Sequence, residues 1–169
     1  MSKDLVFKKR RLLLAKYMEP NSTAIISSSP IKIRNNDSTY RYRQCSNFYY
    51  LTGFEKPDSV LLIYKDRSKS VAHFFSKQPN KHDSVWSGEL LTSRKIQNIY
   101  GFDKCGYTET LELELYSYLK KSKSIYHSLS KQSDLLTVVD GCLQKIENNY
   151  RKGSELPSNH YSINKIVHK

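Results

Sequence analysis

Apolar and polar positions follow a helical period at the start of the chain. Residues 4–18 place Leu5, Leu12 and Tyr17 on one stripe, and the basic cluster Lys8 to Arg11 falls on the other side. A proline two residues beyond this segment cannot continue a helix. The pattern therefore predicts an amphipathic N-terminal helix with these three apolar residues on its buried face.

Short runs rich in β-branched and aromatic residues predict several strands. Segments 59–65 and 70–75 flank a charged four-residue turn, which favours an antiparallel hairpin. A glycine closes the aromatic run Phe48-Tyr49-Tyr50-Leu51-Thr52. The predicted strands are residues 23–27, 48–52, 59–65, 70–75 and 124–129.

The second half of the chain returns to helical spacing. Helices are predicted over residues 89–100, from 108 or 110 to 121, and from 133 to near 153. Residues 34–42 are polar and predict a long loop, and the tail 155–169 predicts a connector. The order of elements indicates an α/β fold: one layered domain with helices packed on a mixed sheet.

Composition fits one basic globular domain. The chain has 169 residues, 38% hydrophobic and 26% charged, with a formal net charge of +12. No uncharged apolar run approaches the roughly 18 residues of a membrane span, and the N-terminus does not match a secretory signal. The cysteines Cys45, Cys105 and Cys142 lie far apart, which is typical of reduced thiols in a cytosolic protein.

The motifs of several self-sufficient enzymes are missing from the sequence. It contains no glycine-rich phosphate loop, no His-Glu-x-x-His and no Gly-x-Ser-x-Gly. Its five histidines are scattered, and no metal site or acid–base pair can be assembled from them.

A pI near 9.5 with 13 tyrosines leaves a nucleic-acid-binding domain as one alternative.

Residues 34–54 carry a specific resemblance. They read Arg34-Asn35-Asn36-Asp37, then Tyr40-Arg41-Tyr42-Arg43-Gln44, then Ser46-Asn47-Phe48-Tyr49-Tyr50-Leu51-Thr52-Gly53-Phe54. This segment resembles the N-terminal domain of the Xaa-Pro aminopeptidases (aminopeptidase P). The family pattern is Arg-Asn-x-Asp, Tyr-Pro-Phe/Tyr-Arg-Gln and Ser-Asp-Phe-Tyr-Tyr-Leu-Thr-Gly-Phe.

The resemblance extends to both sides of this segment. The basic helix and the residues after it look like the family's opening, and Pro57 to Leu62 resembles Pro-Asp-Ala-Val-Leu. Asp83 to Gly88 resembles a Glu-x-Trp-x-Gly loop, and Ile166-Val167-His168 looks like a segment leading into the catalytic domain. The match covers essentially the whole chain.

The resemblance implies a fold and a domain division. The fold is a mixed sheet of about six strands flanked by helices, as in creatinase and prolidase N-terminal domains, with a ribonuclease H-like motif. Residues 1–156 would form this domain, and residues 157–169 would connect it to a catalytic "pita-bread" domain that we expect to be absent from this chain.

The resemblance also implies a function for the parent protein. It would be a cytoplasmic hydrolase that uses two divalent ions, manganese, to release an N-terminal residue preceding proline. The metal ligands (two Asp, one His and two Glu) lie in the family's catalytic domain, so we expect no metal, cofactor or catalytic residue in this chain. The partners implied are that catalytic domain, neighbouring subunits of a homo-oligomer and peptides with proline in second place, with no membrane and no nucleic acid.

Two residues match family positions that lie close to the substrate and could reach the active site of a neighbouring subunit. Trp86 matches a loop tryptophan suited to stacking on a proline ring, and its alternative role is to anchor its loop in the core. Asp37 matches a loop aspartate that would pair with an arginine or a peptide amine. Its alternative role is an Asx turn that caps its own backbone.

Tyr40, Arg43 and Gln44 match the family's loop and are interpreted as organising it. Arg43 would fork to a carboxylate or to backbone carbonyls. The sequence departs from the family at Arg41 (usually proline), Asn47 (usually aspartate), Glu89 and Glu155.

These observations together predict a non-catalytic N-terminal domain of a metal-dependent Xaa-Pro aminopeptidase. Its expected role is subunit association and the shaping of the substrate entrance. The alternatives are a stand-alone relative that binds a peptide or protein without a catalytic half, and the basic nucleic-acid-binding domain.

Overall fold

A mixed β-sheet lies at the centre of the protein, with helices on both of its faces. The computed structural model describes residues 3–35, 38–79, 91–128, 135–149, 157 and 159–163. The helices are α1 (Lys3–Tyr17), α2 (Ser46–Thr52), α3 (Ser93–Tyr100), α4 (Leu111–Leu119) and α5 (Leu135–Asn148). The strands are β1 (Ser22–Ser27), β2 (Ile33–Asn35), β3 (Ser38–Thr39), β4 (Ser59–Lys65), β5 (Ser70–Ser76), β6 (Lys104–Tyr107), β7 (Ser124–Ser128) and β8 (Asn159–Ser162).

Within the described residues, six strands form the main sheet in the order β6-β5-β4-β1-β7-β8. Strand β4 runs antiparallel to both of its neighbours, and the other neighbouring pairs are parallel. The predicted hairpin is confirmed: Ser59 pairs with Ser76, Lys65 pairs with Ser70, and the Asp66 N–H donates to the Lys69 carbonyl across the turn.

Successive residues of a strand contribute their side chains alternately to two apolar cores, one on each face of the sheet. On β4, Leu61 and Ile63 pack under α1, α2 and α3, whereas Val60 and Leu62 pack under α4 and α5. This alternation is the period-2 geometry of a strand covered on both faces. The predicted α/β domain, with a mixed sheet of about six strands flanked by helices, is confirmed.

Helix α1 is confirmed, but its predicted buried stripe is wrong. Leu5, Leu12 and Tyr17 are all exposed, the last at 60%. The buried face carries Arg11, Leu14, Ala15 and Met18, which follow one another at i, i+3, i+4 and i+7. A basic residue therefore lies on the core side of the helix.

The segment predicted as strand 48–52 is helical. It forms most of α2, in which Phe48, Leu51 and Thr52 are buried at i, i+3 and i+4. Aromatic residues favour strands because they pack well on a half-buried sheet surface. Here the burial of one face of the helix outweighs that preference. Gly53 closes the helix at φ +68°, where its N–H donates to the Tyr49 carbonyl.

Three further segments differ from the sequence prediction. The predicted loop 34–42 contains part of the small β2–β3 ribbon, and β6 was not predicted. Residues 159–162 of the predicted connector form β8, which pairs with β7 in parallel. A four-residue polar strand at the sheet edge carries too weak a pattern to be recognised. Residues 158 and 164–169 of the connector, and residues 150–156 before it, lie outside the described residues, so the boundary at 156 stays a prediction.

Candidate functional site: the 28–45 loop

The loop that joins β1 to α2 contains four of the predicted site residues, Asp37, Tyr40, Arg43 and Gln44, of which the structure describes the last three. It runs over residues 28–45, includes the β2–β3 ribbon, and is here called the 28–45 loop. Its first residue is fixed to the start of β4, because the Ser28 N–H donates to the Ser59 carbonyl and Ser28 Oγ accepts from the Ser59 N–H. The loop therefore leaves the sheet from a defined point.

Gln44 fastens the other end of the loop with four hydrogen bonds. Its Oε1 accepts from the backbone N–H groups of Ser29 and Cys45, both at 2.9 Å. Its Nε2 donates to the carbonyls of Phe54 and Lys56 at 3.2 and 3.1 Å. One amide side chain thus joins the two ends of the loop to the segment that follows α2.

Tyr42 adds a second link across the base of the loop. Its hydroxyl donates to the Ser29 carbonyl at 3.1 Å. Burial raises the pKa of this phenol above its usual value, with hydrogen bonds to Ser28 and Gln44 acting in the opposite direction. The neutral, donating form of Tyr42 is therefore the form present at physiological pH.

The outer part of the loop is exposed. The β2–β3 ribbon is held by backbone pairing and by the Tyr40 N–H, which donates to the Lys32 carbonyl at 2.9 Å. Ile33 is 73% exposed and Tyr40 is 56% exposed. The Arg43 side chain is exposed, with no hydrogen bond or ion pair to the described part of the chain. The loop thus combines a fixed base with a solvent-facing outer part.

The two predicted substrate-proximal residues, Trp86 and Asp37, lie outside the described residues. Of the predicted loop-organising residues, Gln44 makes side-chain contacts across the loop base, whereas the side chains of Tyr40 and Arg43 point to solvent. Among residues that the structure describes, no group of three or more His, Cys, Asp or Glu could hold a metal ion.

Sequence reasoning missed Arg11, which stabilises the segment beyond the loop. Its guanidinium donates to the carbonyls of Leu51, Tyr100 and Gly101, and its Cζ lies 4.4 Å from the ring centroid of Phe102. Burial lowers its pKa to about 10, opposed by the nearby Asp103 and Cys105. Its place one helical turn before Leu14 and Ala15 is the sequence signal that could have revealed it.

A family model covers most of the chain. The model described as "Aminopeptidase P, N-terminal domain" matches residues 7–126. The chain belongs to this family. The resemblance found in residues 34–54 is thereby confirmed.

Curated relatives and solved structures agree with this assignment. The Xaa-Pro aminopeptidase of Escherichia coli is 28% identical over 163 residues, which are 96% of this chain and 37% of the relative. The Haemophilus influenzae enzyme is 32% identical over 72% of this chain and 28% of the relative. A zinc-substituted E. coli aminopeptidase P in complex with product superposes with a TM-score of 0.89 at 28% identity, covering 98% of this chain and 38% of that one. The chain therefore spans little more than a third of these two E. coli matches.

Proposed function

We propose that this chain is the non-catalytic N-terminal domain of a metal-dependent Xaa-Pro aminopeptidase. The parent enzyme would release an N-terminal residue that precedes proline. The observation that carries this proposal is the coverage of the matches. A solved E. coli aminopeptidase P matches 98% of this chain with 38% of its own, and residues 7–126 match the family model of the N-terminal domain. The rest of the parent enzyme would supply the catalysis.

The proposed parent enzyme uses two divalent ions, manganese, held by its catalytic domain. One similar structure is a zinc-substituted E. coli aminopeptidase P, which supports a metal-dependent parent. The described residues of this chain do not fit such a centre, since they bring no three ligating side chains together. No catalytic step is therefore assigned to this domain.

We propose that the 28–45 loop contributes to the substrate entrance and to contacts between subunits. Its base is fixed by Gln44, Tyr42 and Ser28, while its outer residues face solvent. A surface that is held in place but left uncovered is suited to contact with another domain. Asp37 and Trp86 are the residues proposed to approach the substrate.

The parent enzyme is proposed to be cytoplasmic. No described helix is long and apolar enough to cross a membrane. One relative, intermediate cleaving peptidase 55 of Arabidopsis thaliana, is named as mitochondrial, and it is 27% identical over 78% of this chain. Cell fractionation with an antibody to this domain would locate the protein, and a mitochondrial fraction would contradict the proposal.

A domain exchange tests the proposed role. The N-terminal domain of the E. coli enzyme is replaced by this chain, and cleavage of an Arg-Pro-Pro peptide is measured with manganese present. We expect Trp86→Ala and Asp37→Ala each to lower kcat/KM about tenfold, because substrate positioning contributes several kcal/mol to catalysis. The paired change Lys120→Gln and Lys121→Gln, on exposed residues outside the 28–45 loop, serves as the control.

Measurements of oligomeric state and of turnover provide two further tests of the proposal. Light scattering should show a homo-oligomer for the active chimera, and loosening the loop with Gln44→Leu should shift it towards smaller species. An unchanged kcat/KM in both the Trp86 and Asp37 variants would refute the substrate-entrance role. Manganese-dependent turnover by the isolated 169-residue chain, above a metal-free control, would refute the non-catalytic role.

A further inference from the structure

A basic hollow lies where the C-terminal turn of α1 meets the β4–β5 turn. Its volume is about 190 Å³. Four of its eight lining residues are Lys or Arg and none is acidic: Lys16, Lys65, Arg67 and Lys69. Since β4 runs the length of the sheet, this hollow and the 28–45 loop lie at opposite ends of the strand, about 20 Å apart.

Lys65 forms a fixed wall of the hollow. Its Nζ donates to the carbonyl of Met18 at 2.6 Å and to that of Lys16 at 3.3 Å, at the C-terminal end of α1. These carbonyls carry the partial negative charge of a helix C-terminus, which holds the ammonium group in place. An ammonium has three N–H donors, so one remains for a ligand.

The other three cations lack a neutralising partner. In the described part of the chain, Lys16, Arg67 and Lys69 are exposed and form no ion pair. Asp66 belongs to the same turn but does not line the hollow, and its Oδ1 accepts from the Ser68 N–H at 3.1 Å. Asp66 therefore shapes the turn and offsets only one of the surrounding charges.

We propose that this hollow binds a phosphoryl group of a small phosphorylated molecule. Lysine and arginine side chains that line one concave surface match the charge and the several acceptor oxygens of a phosphate. Ser68 and Ser70 also line the hollow and add hydroxyl donors. The volume is several times the roughly 30 Å³ share of a water molecule, so a phosphate fits together with some of its hydration.

The test uses the full 169-residue chain and inorganic phosphate as the probe. Amide chemical shifts are followed in a phosphate titration at constant ionic strength, with chloride as the balancing anion, since screening weakens exposed contacts. We expect saturable shifts confined to residues 12–16 and 65–70. The double variant Arg67→Gln and Lys69→Gln should bind at least about tenfold more weakly, because it removes two of the four cationic side chains that line the hollow.

A matched control separates a site from general attraction to a basic protein. The variant Lys120→Gln and Lys121→Gln also removes two positive charges, from exposed residues just after α4 that do not line the hollow, and should bind phosphate as the unmodified chain does. Equal weakening in both double variants would overturn the proposal. Shifts spread evenly over the surface, or no saturation, would also overturn it.

The source of the phosphoryl group is distinguished with glycerol 3-phosphate and adenosine monophosphate. Saturable binding of either compound at the same residues supports the proposal and shows which molecules are accepted. Binding of phosphatidylserine vesicles or of RNA without binding of inorganic phosphate would overturn it, because an extended surface and not the hollow would then be the site.

Discussion

At the scale of single residues, two polar side chains hold together backbone segments that are distant in sequence. Arg11 joins α1 to the C-terminal ends of α2 and α3, and Gln44 joins the base of the 28–45 loop to the segment after α2. Both satisfy backbone groups that would otherwise lack partners, which is costly when the groups are buried.

Replacing Arg11 with methionine should destabilise the domain by about 3 kcal/mol. Methionine retains the aliphatic packing but leaves three carbonyls without their charged donor, and each such loss costs about 1 kcal/mol or more. Arg10→Met is the control, because Arg10 also lies over aromatic rings, those of Phe7 and Tyr50, but makes only one exposed hydrogen bond within the described residues, to the Tyr50 carbonyl. Urea unfolding measures both variants, and an equal loss in the two would contradict the assigned role of Arg11.

Replacing Gln44 with leucine should lower the free energy of unfolding by about 2 kcal/mol. The change removes four hydrogen bonds at similar volume, but the partly exposed partners regain some bonds to water. Gln97→Leu, which removes one exposed hydrogen bond to the Asp103 carbonyl, should cost less than about 1 kcal/mol. Thermal unfolding followed by circular dichroism compares them, and similar losses would show that Gln44 is not central to the loop.

At the scale of elements, helix α2 shows how packing selects a conformation against local propensity. Its aromatic sequence favours a strand, yet burial of one helical face and the left-handed Gly53 fix a two-turn helix. A side chain on Gly53 would meet the ring of Phe7, which lies on α1. The α1–α2 contact therefore depends on a residue without a Cβ.

Two glycine-to-alanine changes should have opposite effects on stability. Gly53→Ala should destabilise by about 1 kcal/mol or more, because it adds left-handed strain of about that size and forces the Phe7 ring to move. Gly141→Ala, inside α5 with open space around the added methyl group, should stabilise by up to about 1 kcal/mol. Chemical denaturation tests the pair, and a neutral Gly53→Ala would contradict the described α1–α2 packing.

At the scale of the whole molecule, one buried and one half-buried histidine make the stability of the fold depend on pH. His73 is 6% exposed between β5 and α4, and burial lowers its pKa below the usual 6.5. Lys104 lowers it further, and Glu114, whose Oε2 lies 3.7 Å from Nδ1, opposes the shift. The pKa of His127 is also lowered, by burial and by His160.

The free energy of unfolding should therefore decrease as the pH falls through 6.5. Below pH 6.5 the histidines of the unfolded chain bind protons, whereas those of the folded protein stay neutral because their pKa is lower. Their contribution to the free energy of unfolding is therefore full above pH 6.5 and is lost as the pH falls towards the folded pKa. His73→Gln should reduce this slope but not abolish it, because His127 still titrates. Urea titrations from pH 7.5 to 5 give the slope, and an identical slope in the variant would contradict the contribution of His73.

The sequence by itself determined the family, the α/β layered class, the β4–β5 hairpin and the helix that forms α4. These features depend on local signals: a motif read residue by residue, a charged turn between apolar runs, and a helical period. Each can be recognised without knowing what the segment packs against.

The tertiary structure alone decided the helical state of residues 48–52, the burial of Arg11, the pairing of β8 with β7 and the four contacts of Gln44. Each depends on partners tens of residues away, whose packing and hydrogen bonds outweigh local propensity. The basic hollow likewise exists only because the fold brings the end of α1 to the β4–β5 turn.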